Sequence, residues 1–283
     1  MSASESNYVA LTEVPNVPSW TMLDFLVTST ESDLLADLLW SLGVVAVEER
    51  EAPGDFVTLR TSMGEDHSFS RDLVQENFPN VTVSVAHVDR SVADTWRIHA
   101  APTWIHEHVV LCPAWVTSPE ATHVIRIEPA DTFGLGNHTT TVLALRLGLG
   151  HCQPSSRVFD FGCGSGVLAI AATKILHCNS FVFDIAYSAQ EVVRINSELN
   201  DVITTWDSGS HHLNADLVFA NILAPVLIAE SNTIKDSIHE TGLIVLSGMR
   251  DDQVEKVLLS YGDCIELERE SGDGWTAVVL RKK

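Results

Sequence analysis

The sequence predicts an α/β fold: a Rossmann-like, seven-stranded, mostly parallel sheet, preceded by a small N-terminal ferredoxin-like α+β domain. Three observations predict it. Apolar runs and helical periodicities alternate regularly from Arg157 onward, as in a parallel sheet covered by helices. A strand at Val158-Phe159-Asp160-Phe161 runs into Gly162-Cys163-Gly164-Ser165-Gly166 and then into a helix, the arrangement that binds ligands at the end of such a sheet. Residues 19–88 read β-α-β-β-α-β, the ferredoxin-like order.

Taken in order, residues 1–18 hold Pro15 and Pro18 with little pattern and read as a flexible lead-in. Residues 21–28 form an apolar-rich strand. Residues 31–42 carry Leu34, Leu35, Leu38, Leu39 and Leu42 at helical spacing, and Gly43 ends that helix. Strands are expected at 44–47, 56–60 and 81–88, and a helix at 68–78 stopped by Pro79. A linker over 89–106 leads to the second domain, 107–283. There, two β-like runs (109–112 and 123–128) precede a loop at 129–137 and a helix over 139–149. Strands then fall at 157–161, 181–184, 202–206, 217–220 and 243–247, with helices at 167–176, 188–199, 224–238 and 251–260. Two last runs, 264–270 and 275–280, flank Ser271-Gly272-Asp273-Gly274, which is hairpin chemistry. A terminal antiparallel hairpin on a parallel sheet is characteristic of methyltransferases rather than dehydrogenases.

Composition bounds the chemistry. The 283 residues are 45% hydrophobic and 19% charged, enough to bury a core. A formal net charge of −21 disfavours direct nucleic-acid binding, which needs clustered Lys and Arg, and suits a cationic ligand or a basic protein partner. Five cysteines without C-x-x-C spacing read as reduced thiols of a cytoplasmic protein. No apolar run is long enough to span a bilayer, the polar, acidic N-terminus does not read as a signal peptide, and no membrane partner is expected. The pairs His106/His108 and His211/His212 lack the companions of a zinc site, so no metal is expected.

The glycines alone admit two ligands, because Gly164-x-Gly166-x-x-Ala169 also fits a dinucleotide fingerprint. Asp160 tips the balance: a carboxylate two positions before the glycines receives the ammonium of S-adenosyl-L-methionine (AdoMet) but repels a pyrophosphate. Asp184 ends the next strand and can accept both ribose hydroxyls, a feature that either ligand shares. Asn221-Ile222-Leu223 follows the fourth strand, where a side-chain amide can hold a substrate amine or the amino-acid end of the cofactor.

These motifs resemble those of the ribosomal protein L11 methyltransferase (PrmA) family. Phe133-Gly134-Leu135-Gly136-Asn137-His138-Thr139-Thr140-Thr141 resembles F-G-T-G-x-H-x-T-T, with Leu135 in place of Thr. Asp160 to Gly166 matches D-F-G-C-G-S-G, and Asn221-Ile222-Leu223-Ala224 matches N-I-L-A. Gly242-Leu243-Ile244 with Ser247-Gly248 resembles G-G-L-x-x-x-S-G, and Leu39 to Gly43 and Val47 to Glu49 resemble the family's recognition domain; Ala186 stands where the family has a second Asp. The resemblance spans essentially the whole chain. It implies a class I AdoMet-dependent methyltransferase sheet and N-methylation of lysine or N-terminal amines of a large-subunit ribosomal protein, by a monomer whose domain 19–88 grips that substrate. Cofactor contacts would fall to Phe133, Gly136, Thr141, Asp160, Gly162, Gly164, Gly166, Asp184 and Asn221; the catalytic candidates are Asn221, to orient the amine, and His138, as a general base or else a structural holder of its loop. Two alternatives stand beside this: an AdoMet-binding protein that has lost turnover, and a methyltransferase of another protein or a small amine.

Overall fold

A computed structural model describes residues 19–41, 44, 47–62, 68–89, 100–128 and 136–283. The chain divides into two compact units, 1–99 and 100–283.

The first unit is the β-α-β-β-α-β arrangement that the pattern predicts. Its elements are β1 (Ser19–Thr28), α1 (Ser32–Ser41), β2 (Glu48–Glu51), β3 (Phe56–Thr61), α2 (Ser68–Asn77) and β4 (Thr82–Asp89). The strands are ordered β2-β3-β1-β4, all antiparallel. Period-two alternation puts Leu23, Phe25 and Val27 of β1 on the buried face, against Leu35 and Leu39 of α1 and Val74 of α2. Asp24 and Arg60 pair across β1 and β3 at 2.6 Å. The hydrogen bond from Arg60 holds the Asp24 carboxyl below its ordinary range. The strand expected at 44–47 is a correction: Val44 and Val47 lie outside any strand, and β2 begins at Glu48. The turn after Glu51 sets this register, pairing Glu51 with Val57. Gly43, expected to end α1, lies outside the described residues.

The second unit opens with β5 (Thr103–His106), β6 (Val109–Pro113) and β7 (His123–Ile127), a small sheet in that order. Thr103–His106 is thus a strand of this unit rather than the end of a linker. Helix α3 (Thr139–His151) leads to the central sheet. Its elements are β8 (Arg157–Phe161), α4 (Val167–Leu176), β9 (Asn179–Phe183), α5 (Tyr187–Leu199), β10 (Thr204–Trp206) and β11 (Ala215–Asn221). There follow α6 (Ala224–Ala229), α7 (Ser231–Ser237), β12 (Ile238–Arg250), α8 (Val254–Leu258), β13 (Cys264–Gly272) and β14 (Trp275–Lys282).

Among the described residues this sheet has seven strands in the order β10-β9-β8-β11-β12-β14-β13. Strands β8 to β12 run parallel, and the β13–β14 hairpin is antiparallel. The two-residue turn Asp273-Gly274 has positive φ at both positions (50° and 80°), as the favoured hairpin turns require. Helices α3 and α4 cover one face through Leu143, Leu147, Leu168 and Ile170; α6, α7 and α8 cover the other through Leu227, Ile234 and Val257. The single helix expected over 224–238 is two, because α6 ends at Glu230 and Ile238 already pairs with Ala215 as the start of β12. The helix expected at 251–260 is the short α8 between two 3-10 turns. Apolar spacing by itself does not separate these cases.

Candidate active site

Strand order reverses between β8 and β11, so their carboxyl ends bound the crevice where open α/β sheets bind ligands. The glycine loop leaves β8 there. Gly162, Gly164 and Gly166 all have left-handed backbones, with φ of 77°, 51° and 77°. Glycine adopts these conformations without the steric penalty that a Cβ brings. At Gly162 the reason is also contact: a Cβ there would lie 2.4 Å from Cγ2 of Ile222. The N–H groups of Gly162 and Cys163 both donate to the Phe183 carbonyl, at 2.8 and 2.9 Å, which ties the loop to the end of β9.

Two carboxylates frame the loop. Asp184, one residue past β9, accepts the Gly164 N–H on Oδ2 (2.9 Å) and the Ala186 N–H on Oδ1 (2.8 Å). Asp160, in β8, is 1% exposed. Its Oδ2 accepts the Ala169 N–H at 3.2 Å, whereas its buried Oδ1 has no hydrogen-bond partner. Burial, with a lesser contribution from the nearby Asp184 charge, pushes the Asp160 pKa up to about 7.

The other wall comes from β11 and α3. Asn221, the last residue of β11, donates from Nδ2 to Oγ1 of Thr141 at 3.3 Å. His138 is the N-cap of α3: its Nδ1 accepts the Thr140 N–H at 3.3 Å and lies 2.8 Å from Thr140 Oγ1. Its ring packs edge-on against Trp275, with centroids 5.1 Å apart, and burial lowers its pKa. Gly136 is buried with φ of 94°, and a Cβ there would lie 2.4 Å from Leu111 Cδ1 of β6.

The structure therefore brings Asp160, Gly162, Gly164, Gly166 and Asp184 to one strand end, with Gly164 bonded directly to Asp184, and bonds Asn221 to Thr141. Ile222 joins the two groups, touching Gly162 and donating its N–H to the Ser247 carbonyl at 3.2 Å. His138 and Gly136 sit at the base of the same helix and beside β6, where they hold structure. Phe133 lies outside the described residues. A cleft of about 510 Å³ between α5 and β10, lined by Val182, Val193, Val202 and Trp206, includes none of these residues.

Sequence reasoning missed several supports. Ser247 donates its hydroxyl to the Thr140 carbonyl at 2.9 Å, fastening α3 to β12. Gly248 has φ of 86°, and a Cβ there would lie 2.4 Å from the Ile222 carbonyl oxygen, so this glycine admits the Asn221-Ile222 turn. The Ser247-Gly248 pair was visible as a motif, but its contact is not local. Asn196 in α5 and Asn200 at its C-cap, poor helix formers four apart, are the one local signal of a further support.

The residues fit AdoMet. The glycine turn and the Asp184 carboxylate suit either ligand, and the buried Asp160 carboxylate with one unpartnered oxygen favours a cationic ligand and disfavours a pyrophosphate. Comparisons with known proteins agree. The family model for ribosomal protein L11 methyltransferase (PrmA) matches residues 67–283. The ribosomal protein L11 methyltransferase of Thermoanaerobacter pseudethanolicus is 33% identical over 214 residues, 72% of this chain and 69% of that relative. The enzyme of the same name from Desulfitobacterium hafniense is 29% identical over 309 residues, 94% of this chain and 98% of its own. A crystal structure of ribosomal protein L11 methylase from Lactobacillus delbrueckii subsp. bulgaricus superposes with a TM-score of 0.59 and 26% identity, covering 65% of this chain and 100% of that one. With its glycine loop at the β8/β11 switch point and a family model matched over most of its length, the chain belongs to the ribosomal protein L11 methyltransferase (PrmA) family of AdoMet-dependent methyltransferases.

Proposed function

We propose that this chain methylates amine nitrogens, lysine side chains or the N-terminal amine, of ribosomal protein L11 in the cytoplasm, with domain 19–88 gripping the protein substrate. The carrying observation is the convergence at one strand-end crevice of the unpartnered Asp160 oxygen, the glycine turn and the Asn221–Thr141 pair. Relatives named for that ribosomal protein supply the substrate class.

Bound AdoMet supplies an activated methyl group on a sulfonium, so the protein's task is position and desolvation. Each Asp184 oxygen receives one backbone N–H, and its remaining lone pairs would be available to accept the ribose hydroxyls. Ionised Asp160 would balance the cationic methionine end beside Gly162 and Gly164. Asn221 has its N–H engaged by Thr141, which leaves Oδ1 as an acceptor to orient the incoming amine. That amine must be neutral to react, and a dry apolar wall favours its neutral form. His138 is a holder of the first turn of α3 in this reading, since its Nδ1 is engaged by the Thr140 N–H.

The test is radiolabelled AdoMet added to the purified chain with ribosomes, followed by mass spectrometry of labelled proteins. Label on amines of ribosomal protein L11, lost in Asp184→Ala together with AdoMet affinity, is the expected result. AdoMet binding without transfer to any ribosomal protein refutes the proposed activity.

A further inference from the structure

Among the described residues strand β7 is an edge strand: within its sheet it pairs only with β6. Its other edge does not run bare. Helix α5 and its C-cap lay two asparagine side chains along it. Asn200 accepts the Arg126 N–H (2.9 Å) and donates to the Arg126 carbonyl (2.6 Å). Asn196 accepts the Glu128 N–H (2.8 Å) and donates to the Glu128 carbonyl (2.9 Å). The match is geometric: four residues of helix rise about 6 Å, close to the roughly 6.7 Å between alternate residues of a strand. Each amide thus imitates the next strand of a ladder.

Asn200 also accepts from Lys174 Nζ (3.3 Å), and the two asparagines differ in where their second N–H goes. The second N–H of Asn200 returns to its own helix, at the Asn196 carbonyl (2.8 Å). The second N–H of Asn196 goes to the carbonyl of Ser165, between Gly164 and Gly166, at 2.9 Å. Asn196 is fully buried (0% exposed), so these bonds have no competition from solvent. One side chain therefore joins the cofactor loop to residue 128, just past the end of β7.

We infer that Asn196 is a positioning residue for AdoMet: it fixes the left-handed turn Gly164-Ser165-Gly166, and the N–H that Gly164 donates to Asp184, relative to the end of β7. The inference rests on the reading of the glycine loop as the AdoMet site. Its role is distinct from general support of the fold, because Asn200 provides the same support to β7 without touching the loop. Truncating Asn196 strips the Ser165 carbonyl and both backbone groups of Glu128 of these bonds at once. Truncating Asn200 strips Arg126 and leaves the loop anchored.

The experiment compares wild type, Asn196→Ala and Asn200→Ala by AdoMet calorimetry, thermal melting and steady-state kinetics. Both variants should melt earlier. Asn196→Ala should bind AdoMet at least about ten-fold more weakly, with the loss in KM for AdoMet rather than in kcat at saturation; Asn200→Ala should bind within about two-fold of wild type. Equal affinity in the two variants overturns the inference while leaving the site reading intact. A wild-type chain that fails to bind AdoMet overturns the site reading and the inference with it. If Asn196→Ala does not fold, Asn196→Ser, whose smaller side chain leaves room for a bridging water, is read by the same criterion.

Discussion

Asp160→Asn separates a charge effect from a shape effect, because asparagine imitates the neutral carboxyl in size and can still accept the Ala169 N–H. In the folded chain the Asp160 pKa is pushed up to about 7 from an ordinary 3.8. Between those values the native state binds more protons at this site than the unfolded chain does, so its contribution to stability falls as pH rises and levels off above about 7. Each pH unit in that window costs about 1.4 kcal/mol, which sums to on the order of 4 kcal/mol by pH 8. For a unit of this size 1 kcal/mol corresponds to roughly 2–4 °C, so the full effect is roughly 10 °C. Scanning calorimetry of the ligand-free chain from pH 4 to pH 8 reads it, with about 3 kcal/mol of the change falling above pH 5. Wild type and Asp160→Asn should melt together near pH 4, the variant should already lead at pH 5, and its lead should widen up to pH 8. Titrations elsewhere in the molecule cancel in this difference. A gap between the two proteins that stays constant across the range refutes the reasoning, since it would mean that Asp160 titrates alike folded and unfolded.

Two further outcomes follow from close contacts. Gly162→Ala should cost about 2–5 kcal/mol, the sum of a left-handed backbone penalty and a Cβ forced 2.4 Å from the stiff Ile222 side chain. Gly274→Ala, with φ of 80° but open space around it, should cost only about 1–2 kcal/mol; equal losses in chemical denaturation would show that the Ile222 contact is immaterial. Ser247→Ala should cost about 1–3 kcal/mol by deleting a buried hydrogen bond to Thr140, and hydrogen exchange should report weaker protection in the first turn of α3. Unchanged protection there would refute the coupling.

The comparison of pattern with structure shows where local information suffices. The glycine loop was legible because its conformation is a property of glycine itself: three positive φ values in five residues are written in the residue type. Asp160, Asp184 and Asn221 were legible because strand ends in a parallel sheet are ligand positions whatever the packing. The β13–β14 hairpin was legible from Asp273-Gly274. The end of α7 was not, because what stops it is the pairing of Ile238 with Ala215, more than twenty positions away. Strand β2 was misplaced for a similar reason: its all-exposed residues Glu48 to Glu51 carry no hydrophobic signal, and only pairing with β3 makes them a strand.

The sequence by itself thus determined the fold class, the order of elements, the cofactor turn and the family resemblance, all of which rest on short-range stereochemistry and periodicity. Tertiary structure alone decided how the site is held. Ser247 reaches Thr140 from another strand, Gly248 makes room for Ile222, and Asn196 joins Ser165 to Glu128. Those contacts join residues 26 to 107 positions apart or more simply across different elements, and side-chain hydrogen bonds of that kind carry no periodic signature; they exist only once the elements are packed. The loop that can hold AdoMet was written in the chain, and the geometry that holds the loop was not.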